Sequence, residues 1–443
     1  MTFCYTLIQY DCEICEDMKL KEYKLGEIAE IVNGSTPSTS CPHYYDGDIV
    51  WITPKDLSEQ KAKYIKSGVR NITKEGFDSC STHLIPEYNI LLTSRAPIGL
   101  LAINQVTCCT NQGFKNLIVN KDIVDVDYLY YYLKYHIAEI EALGTGTTFK
   151  EVSKASIEKY AVSLPNLEEQ KKVSSILSAL DAKISLNRQI NQNLEALARQ
   201  LYDYWFVQFD FPDANGKPYK SSGGKMVYNP ILKREIPEGW EVKTLSSFIS
   251  KNNTGDWGKD EDFEKSIQIG CVRGADIVTL CNLPTRYIKN NPSKLLQPFD
   301  IVIEISGGSP TQATGRSAFI TEGVISRNGG AISCSNFCHA FTMKNVKKAP
   351  YFFYLWRTFY DNDIMFNYEG KTSGLKNFMT DTFLANTWFD APDILTNLFY
   401  EKVMGIFSEI DNNIAEILSL TKQRDELLPL LMNGQVNFDL SDD

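Results

Sequence analysis

The sequence feature that most limits the possible folds is a long heptad repeat at residues 168–207. This stretch contains neither Gly nor Pro, and one set of its residues recurs at alternating intervals of four and three. That set is Val173, Leu177, Leu180, Ile184, Asn187, Asn191, Leu194, Ala198, Leu201 and Trp205. The spacing is typical of a coiled-coil seam. At about 1.5 Å per residue such a helix would be roughly 60 Å long, more than one globular domain needs to close its core. The repeat therefore predicts a long helix with a partner.

The predicted partner is a second heptad repeat in the same chain, at residues 396–436. Its seam positions follow those of the first helix at a constant offset, and so do two acids, because Asp411 aligns with Asp181 and Asp425 with Glu195. Chance has no reason to preserve surface acids together with the seam, so we interpret the second helix as a repeat of the first. We predict that the helices pair through Val173, Leu177, Leu180, Ile184, Leu194, Leu201, Val403, Phe407, Ile410, Ile414, Leu428 and Leu431.

Two polar positions interrupt the seam, and they leave two alternatives open. In the repeat, Asn187 corresponds to Ile417 and Asn191 to Thr421. A polar residue at such a position can fix the register of two helices or lie where partner helices approach. The alternative is that both asparagines lie at solvent-exposed ends of the seam.

The repeat extends beyond the helices, so the chain is predicted to be two copies of a domain followed by a long helix. EYKLGEIAEIVNG corresponds to EVKTLSSFISKNN, and the aromatic run that begins at Tyr128 corresponds to the run at Tyr351. The segment between the copies is rich in Gly, Pro, Ser and Lys, as linkers are. We predict an N-terminal extension at 1–18, a first domain at 19–164, a first helix at 165–210, a linker at 211–236, a second domain at 237–390, a second helix at 391–437 and an acidic tail at 438–443.

Each domain has the pattern of an α+β fold. In the first, short strand-like runs at 49–53, 89–93 and 116–119 precede an aromatic helical run at 126–143. In the second, a strand-like run at 300–305 and a Gly-rich loop precede an aromatic helical run at 350–362. Short strands with turn-rich loops and one or two helices favour the α+β class.

The composition is that of a cytoplasmic protein. No apolar run approaches the roughly 20 residues of a membrane span, and the N-terminus lacks a signal-peptide pattern. The 11 cysteines have no regular spacing, which favours reduced thiols over disulfides or a metal site. The net charge is −10, but the acidic excess lies at residues 1–18 and 391–443, so basic faces on the two domains are permitted.

The sequence offers no constellation of catalytic residues. Its four histidines form no His-Glu-x-x-His motif, and no G-x-S-x-G elbow is present. The string Asn229-Pro230 lacks the second proline and the aromatic residue with which adenine methyltransferases hold a flipped base. We therefore predict no catalytic residues, no metal and no cofactor in this chain.

Polar loops at corresponding places in the two copies are the candidate binding residues. Ser94 and Arg95 follow a strand in the first copy, and residues 306–316 follow a strand in the second. Residues 111–115 are paired with 327–330, and residues 144–150 with 370–376. Asn, Gln and Arg can bond to base edges, while Ser, Thr and Lys suit phosphates, although any domain also uses such residues in turns. The candidates are Ser94, Arg95, Asn111, Gln112, Lys115, Thr147, Thr148, Lys150, Ser306, Ser309, Arg316, Arg327, Asn328, Lys371, Ser373 and Lys376.

These features together resemble the specificity subunit of bacterial type I restriction-modification systems. The resemblance covers nearly the whole chain from about Lys19, and its most specific passage is GTTFKEVSKASIEKYAVSLPNLEEQKKVSSIL. Further matching segments are LGEIAEIVNGSTPS, WITPKDL, LLTSRAPIG, NQGFK and LLPLLMNGQV, of which WITPKDL adds Lys55 to the candidate DNA contacts. The second domain departs from the pattern, with NNTGDWG and SGGSPTQATG in place of GSTPS and TSRAPIG.

The resemblance implies a non-catalytic subunit that recognises a bipartite double-stranded DNA target with two recognition domains. It also implies that the two helices pair antiparallel as a spacer with a pseudo-twofold relation, and that two methyltransferase subunits and restriction subunits join the complex. S-adenosylmethionine, ATP and Mg²⁺ are then expected only in those partner subunits. Two other hypotheses stay open from the sequence: a coiled-coil adaptor that binds only proteins, and a recognition module with cryptic methyltransferase or nuclease activity.

Overall fold

A computed structural model describes residues 19–60, 62–146, 150–307, 309, 311–372 and 375–435. The chain divides into two compact units, and the division falls between Leu186 and Asn187 and again between Glu416 and Ile417. Each unit therefore contains one domain together with parts of both long helices. The sequence repeat instead assigns one whole helix to each domain. The difference arises because a repeat reports common ancestry of segments, whereas compact units are defined by the contacts that the segments make.

The first unit contains three sheets around one aromatic helix. Its strands are β1 (Lys21–Lys24), β2 (Ala29–Asn33), β3 (Tyr45–Ile52), β4 (Tyr64–Ile65), β5 (Asn71–Ile72), β6 (Ile90–Ser94), β7 (Ile98–Asn104), β8 (Cys109–Thr110), β9 (Lys115–Val119) and β10 (Ala161–Leu164). Its helices are α1 (Leu25–Ile28), α2 (Pro54–Gln60), α3 (Lys74–Asp78), α4 (Val126–Tyr135), α5 (Ile137–Ala142), α6 (Lys154–Lys159) and the start of α7 (Leu167–Tyr202). The strand orders are β2-β9-β6-β7-β4, β5-β3-β8 and β1-β10. The core lies between the largest sheet and α4, where Leu117, Leu129 and Leu133 are fully buried.

The second unit repeats this arrangement with additional strands. Its strands are β11 (Met226–Asn229), β12 (Arg234–Pro237), β13 (Glu241–Thr244), β14 (Ile249–Thr254), β15 (Ser266–Val272), β16 (Thr285–Lys289), β17 (Ile301–Glu304), β18 (Ser306–Gly307), β19 (Ser317–Phe319), β20 (Ile332–Cys334), β21 (Cys338–Met343), β22 (Glu369–Thr372), β23 (Leu375–Phe378) and β24 (Thr387–Asp390). Its helices are α8 (Glu322–Arg327), α9 (Ala349–Asp361), α10 (Thr380–Leu384) and most of α11 (Asp393–Met432). The α+β class and the two long helices predicted from the sequence are confirmed.

Strand topology confirms that the two domains are copies of one fold. The order β2-β9-β6-β7 in the first unit matches β14-β21-β17-β19 in the second. Both copies share a corresponding parallel strand pair, β3 with β8 and β15 with β20, and the first copy has a second one, β4 with β7. In both copies the first and last strands of the domain also pair antiparallel, β1 with β10 and β13 with β24. The second copy adds the small sheet β18-β23-β22.

The two long helices, of 36 and 40 residues, run antiparallel. In the first unit the Arg424 guanidinium donates to Asp181 at 2.7 Å. In the second unit the Asn187 amide donates to Glu416 at 2.7 Å, and the Asn413 amide donates to Asn191 at 2.8 Å. The partner's residue number falls as the number along α7 rises, which is the signature of an antiparallel pair.

The polar seam positions are buried, so the alternative of solvent-exposed seam ends is wrong. Asn187 and Asn191 are 5% and 8% exposed. Their partners Glu416 and Asn413 differ from their repeat equivalents Ile417 and Thr421. A sequence repeat identifies equivalent positions, whereas the antiparallel direction of the helices decides which positions face each other.

All of the residues predicted to pair the helices are buried or half-buried. In the first unit Leu177 packs into the same core as Leu428 and Leu431. In the second unit Phe407 lies with its ring centroid 4.8 Å from Phe319 and 6.3 Å from Tyr354. Part of the predicted pairing face therefore also contacts the second domain.

Two predicted segments differ from the structure. The predicted linker at 211–236 contains most of the β11–β12 hairpin, and Phe211 stacks on Trp240 at 5.4 Å. Met226, Leu232 and Ile236 also pack against the core of the second unit, whereas Tyr228 is exposed. The predicted helix at 126–143 is broken at His136, where the backbone leaves helical geometry between α4 and α5.

Candidate nucleic-acid interface

Three polar loops of the first domain meet at one corner. The Ser94 amide donates to the Gly113 carbonyl at 2.7 Å, which joins the end of β6 to the turn before β9. The Val152 amide donates to the Ser94 carbonyl at 3.0 Å, and this bond holds the segment after residue 150 at the same corner. The structure thus brings together two groups that the sequence predicted as separate loops, Ser94 with Arg95, and Asn111 and Gln112 with Lys115.

A carboxylate links two of the predicted cations at this corner. Glu151 accepts hydrogen bonds from Lys115 at 3.2 Å and from Arg95 at 3.4 Å. The side chain of Lys115 is 9% exposed, so it mainly neutralises Glu151. Arg95 is more accessible, and Lys150 is exposed. Of these cations, Arg95 and Lys150 are the ones that an external anion can reach.

The amide side chains at the corner have different roles. Asn111 accepts a hydrogen bond from the Gly113 amide at 2.8 Å and so shapes the turn. Gln112 is exposed and accepts a hydrogen bond from the hydroxyl of Thr36. Lys55, in α2, is exposed and pairs with Glu59 at 3.6 Å. Thr147 and Thr148 lie outside the described residues.

In the second domain two of the predicted cations pair with carboxylates close to β18. Arg316 forms a bidentate pair with Glu304 at 2.8 and 2.7 Å. Lys376 pairs with Glu369 at 3.0 Å, and hydrogen bonds from Thr314 and Lys376 hold the pKa of Glu369 below its usual range although burial opposes them. A cation held in this way reaches a base or phosphate only by giving up its partner.

The remaining polar candidates near β18 lie within the same neighbourhood. The Ser306 hydroxyl donates to the Lys376 carbonyl at 3.2 Å, and Ser309 accepts from the Gln312 amide at 3.2 Å. The backbone of Lys371 belongs to β22. Ser373 lies outside the described residues.

Arg327 and Asn328 occupy a different part of the second domain, so their pairing with residues 111–115 is wrong. Arg327 donates to Asp411 of α11 at 2.6 Å, and Asn328 donates to the Leu280 carbonyl at 2.8 Å. They end α8 and precede β20, whereas residues 111–114 follow β8, the equivalent of β20. The segment that occupies the equivalent position is 335–337. The sequence misled because both segments contain a polar, turn-forming pattern.

The sequence also gave no role to the residues that attach each domain to a helix. In the first unit Tyr131 donates to Asp181 of α7 at 2.7 Å. In the second unit, Asp411 of α11 forms an ion pair with Arg327 at 2.6 Å. The preserved spacing of Asp181 and Asp411 was the available signal, since it marked two acids that the seam did not require.

The described residues contain no group of three or more His, Cys, Asp or Glu side chains placed to hold a metal ion. Cys334 and Cys338 are free thiols, and burial raises the pKa of the Cys338 thiol to about 12. Within the same residues, no helix has both the length and the apolar character needed to cross a bilayer.

Comparison with known proteins gives consistent matches. Residues 18–196 match the family described as the type I restriction modification DNA specificity domain. The MjaIX specificity subunit of Methanocaldococcus jannaschii is 33% identical over 422 residues, covering 93% of this chain and 92% of that protein. The EcoR124I/EcoR124II specificity subunit of Escherichia coli is 29% identical over 196 residues, covering 42% of this chain and 48% of that protein.

A solved structure shares the fold. The type I restriction-modification S subunit from M. genitalium superposes with a TM-score of 0.56 at 15% identity, covering 95% of this chain and 97% of that chain. At this identity the likeness concerns the arrangement of elements.

Proposed function

This chain belongs to the type I restriction-modification DNA specificity family, and we propose that it recognises a split DNA target with two recognition domains. The observation that carries this proposal is the repetition of one strand topology in two units. Two copies of one fold with different loops suit two unlike half-sites. The DNA specificity role itself follows from family membership.

In the first half-site, we assign contacts to the corner built by Ser94, Arg95 and Gln112. Arg and Gln side chains discriminate bases in the major groove, while Lys55 and Lys150 suit phosphates. Ser94 is 1% exposed and its hydroxyl donates to the Gly113 carbonyl at 3.2 Å, so it shapes the corner and does not face DNA. Side chains that shape the site, such as Asn111 and Lys115, hold these contacts in position. In the second half-site, Ser306, Ser309 and Lys376 are the corresponding candidates near β18.

The chain supplies recognition, and partner subunits supply the chemistry. Methylation of a base within a duplex requires base flipping by a methyltransferase, which this chain would hold on its target. We propose that methyltransferase subunits dock on the outer face of α7, where Ile190 and Leu197 are exposed. Restriction subunits would join that assembly, and S-adenosylmethionine, ATP and Mg²⁺ would bind in the partner subunits.

The helix pair is proposed to set the gap between the half-sites. A four-residue insertion in register in both helices adds roughly 6 Å, close to two base-pair steps of about 3.4 Å each. We expect the methylated motif of such a variant to gain a longer gap with unchanged half-sites. An unchanged gap in the variant's methylome would refute the spacer role.

The decisive experiment is single-molecule methylation mapping of the source genome with and without this gene. We expect a bipartite methylated motif that disappears with the gene. Arg95→Ala should relax specificity in one half of the motif only, with Lys66→Ala as an exposed control outside the corner. Persistence of the motif without the gene would overturn the proposal.

Two further measurements address the competing hypotheses. Salt-dependent, sequence-selective binding of duplex DNA by the full chain is expected, and its absence would favour a protein-only adaptor. The purified chain alone should neither methylate DNA with S-adenosylmethionine nor cleave it with Mg²⁺. Activity in either assay would favour a cryptic enzyme.

A further inference from the structure

The corner of the first domain is held by a small set of backbone hydrogen bonds. The Asn111 amide donates to the Ile52 carbonyl at 3.1 Å, and the Ser35 amide donates to the Thr110 carbonyl at 2.9 Å. Gly34 lies so close that an added Cβ would stand 2.0 Å from the Asn111 carbonyl oxygen. Together with the Ser94–Gly113 bond, these contacts fix the loop after β2 against the turn after β8.

The second domain has the same set of bonds at a different place from the one predicted. The Ser335 amide donates to the Val272 carbonyl at 2.9 Å, and the Asp256 amide donates to the Cys334 carbonyl at 2.8 Å. An added Cβ on Gly255 would stand 1.9 Å from the Ser335 carbonyl oxygen.

Two further bonds complete the match. The Ile305 amide donates to the Phe337 carbonyl at 2.8 Å, as Ser94 does to Gly113. The Phe378 amide donates to the Ile305 carbonyl at 2.8 Å, as Val152 does to Ser94. The two corners are therefore equivalent because each backbone hydrogen bond of one has a counterpart in the other. This equivalence requires no similarity of side chains.

The equivalence assigns three residues to the corner of the second domain. Trp257 occupies the position of Thr36 in the first copy. Asn336 and Phe337 occupy the positions of Gln112 and Gly113. The side-chain contact is also kept, because Thr36 donates to the Gln112 amide oxygen while the Trp257 backbone amide donates to the Asn336 amide oxygen at 2.7 Å.

The two corners differ in their apolar surface. Gly113 is buried and has no side chain, whereas Phe337 is 51% exposed and Trp257 is 36% exposed. Arg286 lies over the Trp257 ring at 4.5 Å and also pairs with Asp260, so the indole is held from one side. The Trp257–Asn336 hydrogen bond joins the two loops that carry these exposed rings. Neighbouring exposed apolar side chains mark binding sites more often than isolated ones do.

We propose that Trp257, Asn336 and Phe337 form the base-contacting corner of the second domain, with the Phe337 ring stacking on a base or entering a base step. The inference rests on the proposed function, because it takes the two domains to present the same corner to DNA. Aromatic rings stack on any base and can open a base step, and an Asn amide can bond bidentately to adenine.

The segment around Trp257 is acidic, which favours contact with bases over contact with phosphates. Asp256, Asp260, Glu261, Asp262 and Glu264 outnumber the cations Lys259 and Lys265 in the same segment. Such a segment is poorly suited to phosphates. Changes at Phe337 should therefore lower affinity without changing its salt dependence, unlike the loss of a lysine–phosphate contact, which reduces the salt slope by about one.

The test uses the full chain and a duplex that carries the wild-type methylated motif. Phe337→Ala is expected to weaken binding about 10- to 100-fold, the range for loss of one stacked base. Phe337→Trp should restore most of the affinity because it keeps a ring. The matched control is Tyr228→Ala, which removes a 60% exposed ring from β11, outside the corner.

Two readouts locate the contact. In cells, Phe337→Ala should relax one half of the methylated motif and leave unchanged the half that Arg95→Ala relaxes. With 2-aminopurine replacing in turn each adenine of either strand in the half-site, binding of the wild type should raise fluorescence at one step, and Phe337→Ala should abolish that rise.

The outcomes keep this inference separate from the proposed function. If the wild type gives no gene-dependent bipartite motif, the proposed function fails. If the wild type gives the motif and Phe337→Ala, with its fold verified by circular dichroism, matches it in affinity and specificity, the base-contacting corner is refuted. An equal loss in Phe337→Ala and Tyr228→Ala would also refute it.

Discussion

The two units hold their domains to the helices through the same acid with different partners. In the first unit Asp181 of α7 accepts a hydrogen bond from the phenol of Tyr131 at 2.7 Å. In the second, the equivalent Asp411 of α11 pairs with the guanidinium of Arg327 at 2.6 Å. Tyr354, which stands where the first copy has Tyr131, instead stacks with Tyr202 at 5.8 Å. One anchoring position has thus been kept while the chemistry around it has diverged.

In the first unit the contact continues into a buried polar network. Lys63, whose side chain is 4% exposed, pairs with Asp127 at 2.6 Å and donates to Ser178 of α7 at 2.8 Å. Burial lowers the pKa of Lys63 despite the neighbouring Asp127. Burial would raise the pKa of Asp127, but hydrogen bonds from Lys63, Tyr88 and Tyr64 outweigh it and hold that pKa below its usual range.

In the second unit an aromatic contact accompanies the Asp411–Arg327 ion pair. Phe399 of α11 is fully buried and lies 6.1 Å from Tyr354 of the domain and 5.2 Å from Phe206, which follows α7. Aromatic contacts gain from area burial and carry no charge to desolvate, while a buried ion pair loses much of its Coulombic gain to desolvation. A repeated scaffold thus tolerates either a polar or an aromatic contact where a domain meets its helix. We therefore expect the two units to respond differently to substitution and to pH.

The largest effect is expected for Phe399→Ala. Removing a buried phenyl ring costs about 3–5 kcal/mol of unfolding free energy, and the loss should be confined to the second unit. Every tryptophan except Trp51 lies in that unit, so urea unfolding followed by tryptophan fluorescence measures it. The control Ile394→Ala, on the same helix but 82% exposed, should change little. Equal losses for the two variants would show that the buried Phe399 ring stabilises the second unit no more than the exposed Ile394 side chain does.

Lys63→Met should destabilise the first unit by about 3 kcal/mol, because it leaves Asp127 as an uncompensated buried charge. Hydrogen-exchange mass spectrometry of β6 and α4 peptides measures this unit separately from the second. The double variant Lys63→Met with Asp127→Leu should recover part of the loss, since no charge then remains unpaired. If the double variant loses as much unfolding free energy as the sum of the losses of Lys63→Met and Asp127→Leu, the two residues are not coupled.

A matched pair of substitutions tests the shared acid directly. Asp411→Asn leaves the nearly buried Arg327 without its anion and should cost the second unit about 2 kcal/mol. Asp181→Asn should cost the first unit only about 1 kcal/mol, because an amide oxygen still accepts from Tyr131 and Arg424 keeps Asp425. Hydrogen-exchange protection, measured separately for peptides of each unit, gives both losses of unfolding free energy. The reverse order would show that the phenol contact depends on the charge of the acid.

The smallest effect is a pH dependence of the first unit. Because the folded-state pKa of Asp127 is depressed, its contribution is complete above the unfolded value of about 3.9 and is lost as pH falls through the lower folded value. Asp127→Asn should therefore flatten the acid limb of a stability-against-pH curve for this unit. An unchanged limb would mean that other carboxylates govern acid unfolding.

The repeat, the strand-rich domains and the long helices were all predictable because they depend on local periodicity. Apolar positions at heptad spacing require a helix with a partner face, and alternating short runs between turn residues require strands. The corner at Ser94 and Arg95 was predictable in part, since polar residues directly after a strand mark a loop. Its counterpart in the second domain was not, because Asn336 and Phe337 share no residue type with Gln112 and Gly113.

The sequence by itself determined that this chain is a duplicated α+β domain joined to two long helices, because duplication and periodicity leave marks in residue order. Only the tertiary structure decided which residues face one another. It paired Asn191 with Asn413, committed Arg327 to Asp411, and placed Trp257 beside Asn336. Those choices depend on chain direction and on backbone hydrogen bonds between distant segments, which many different side chains can satisfy equally well.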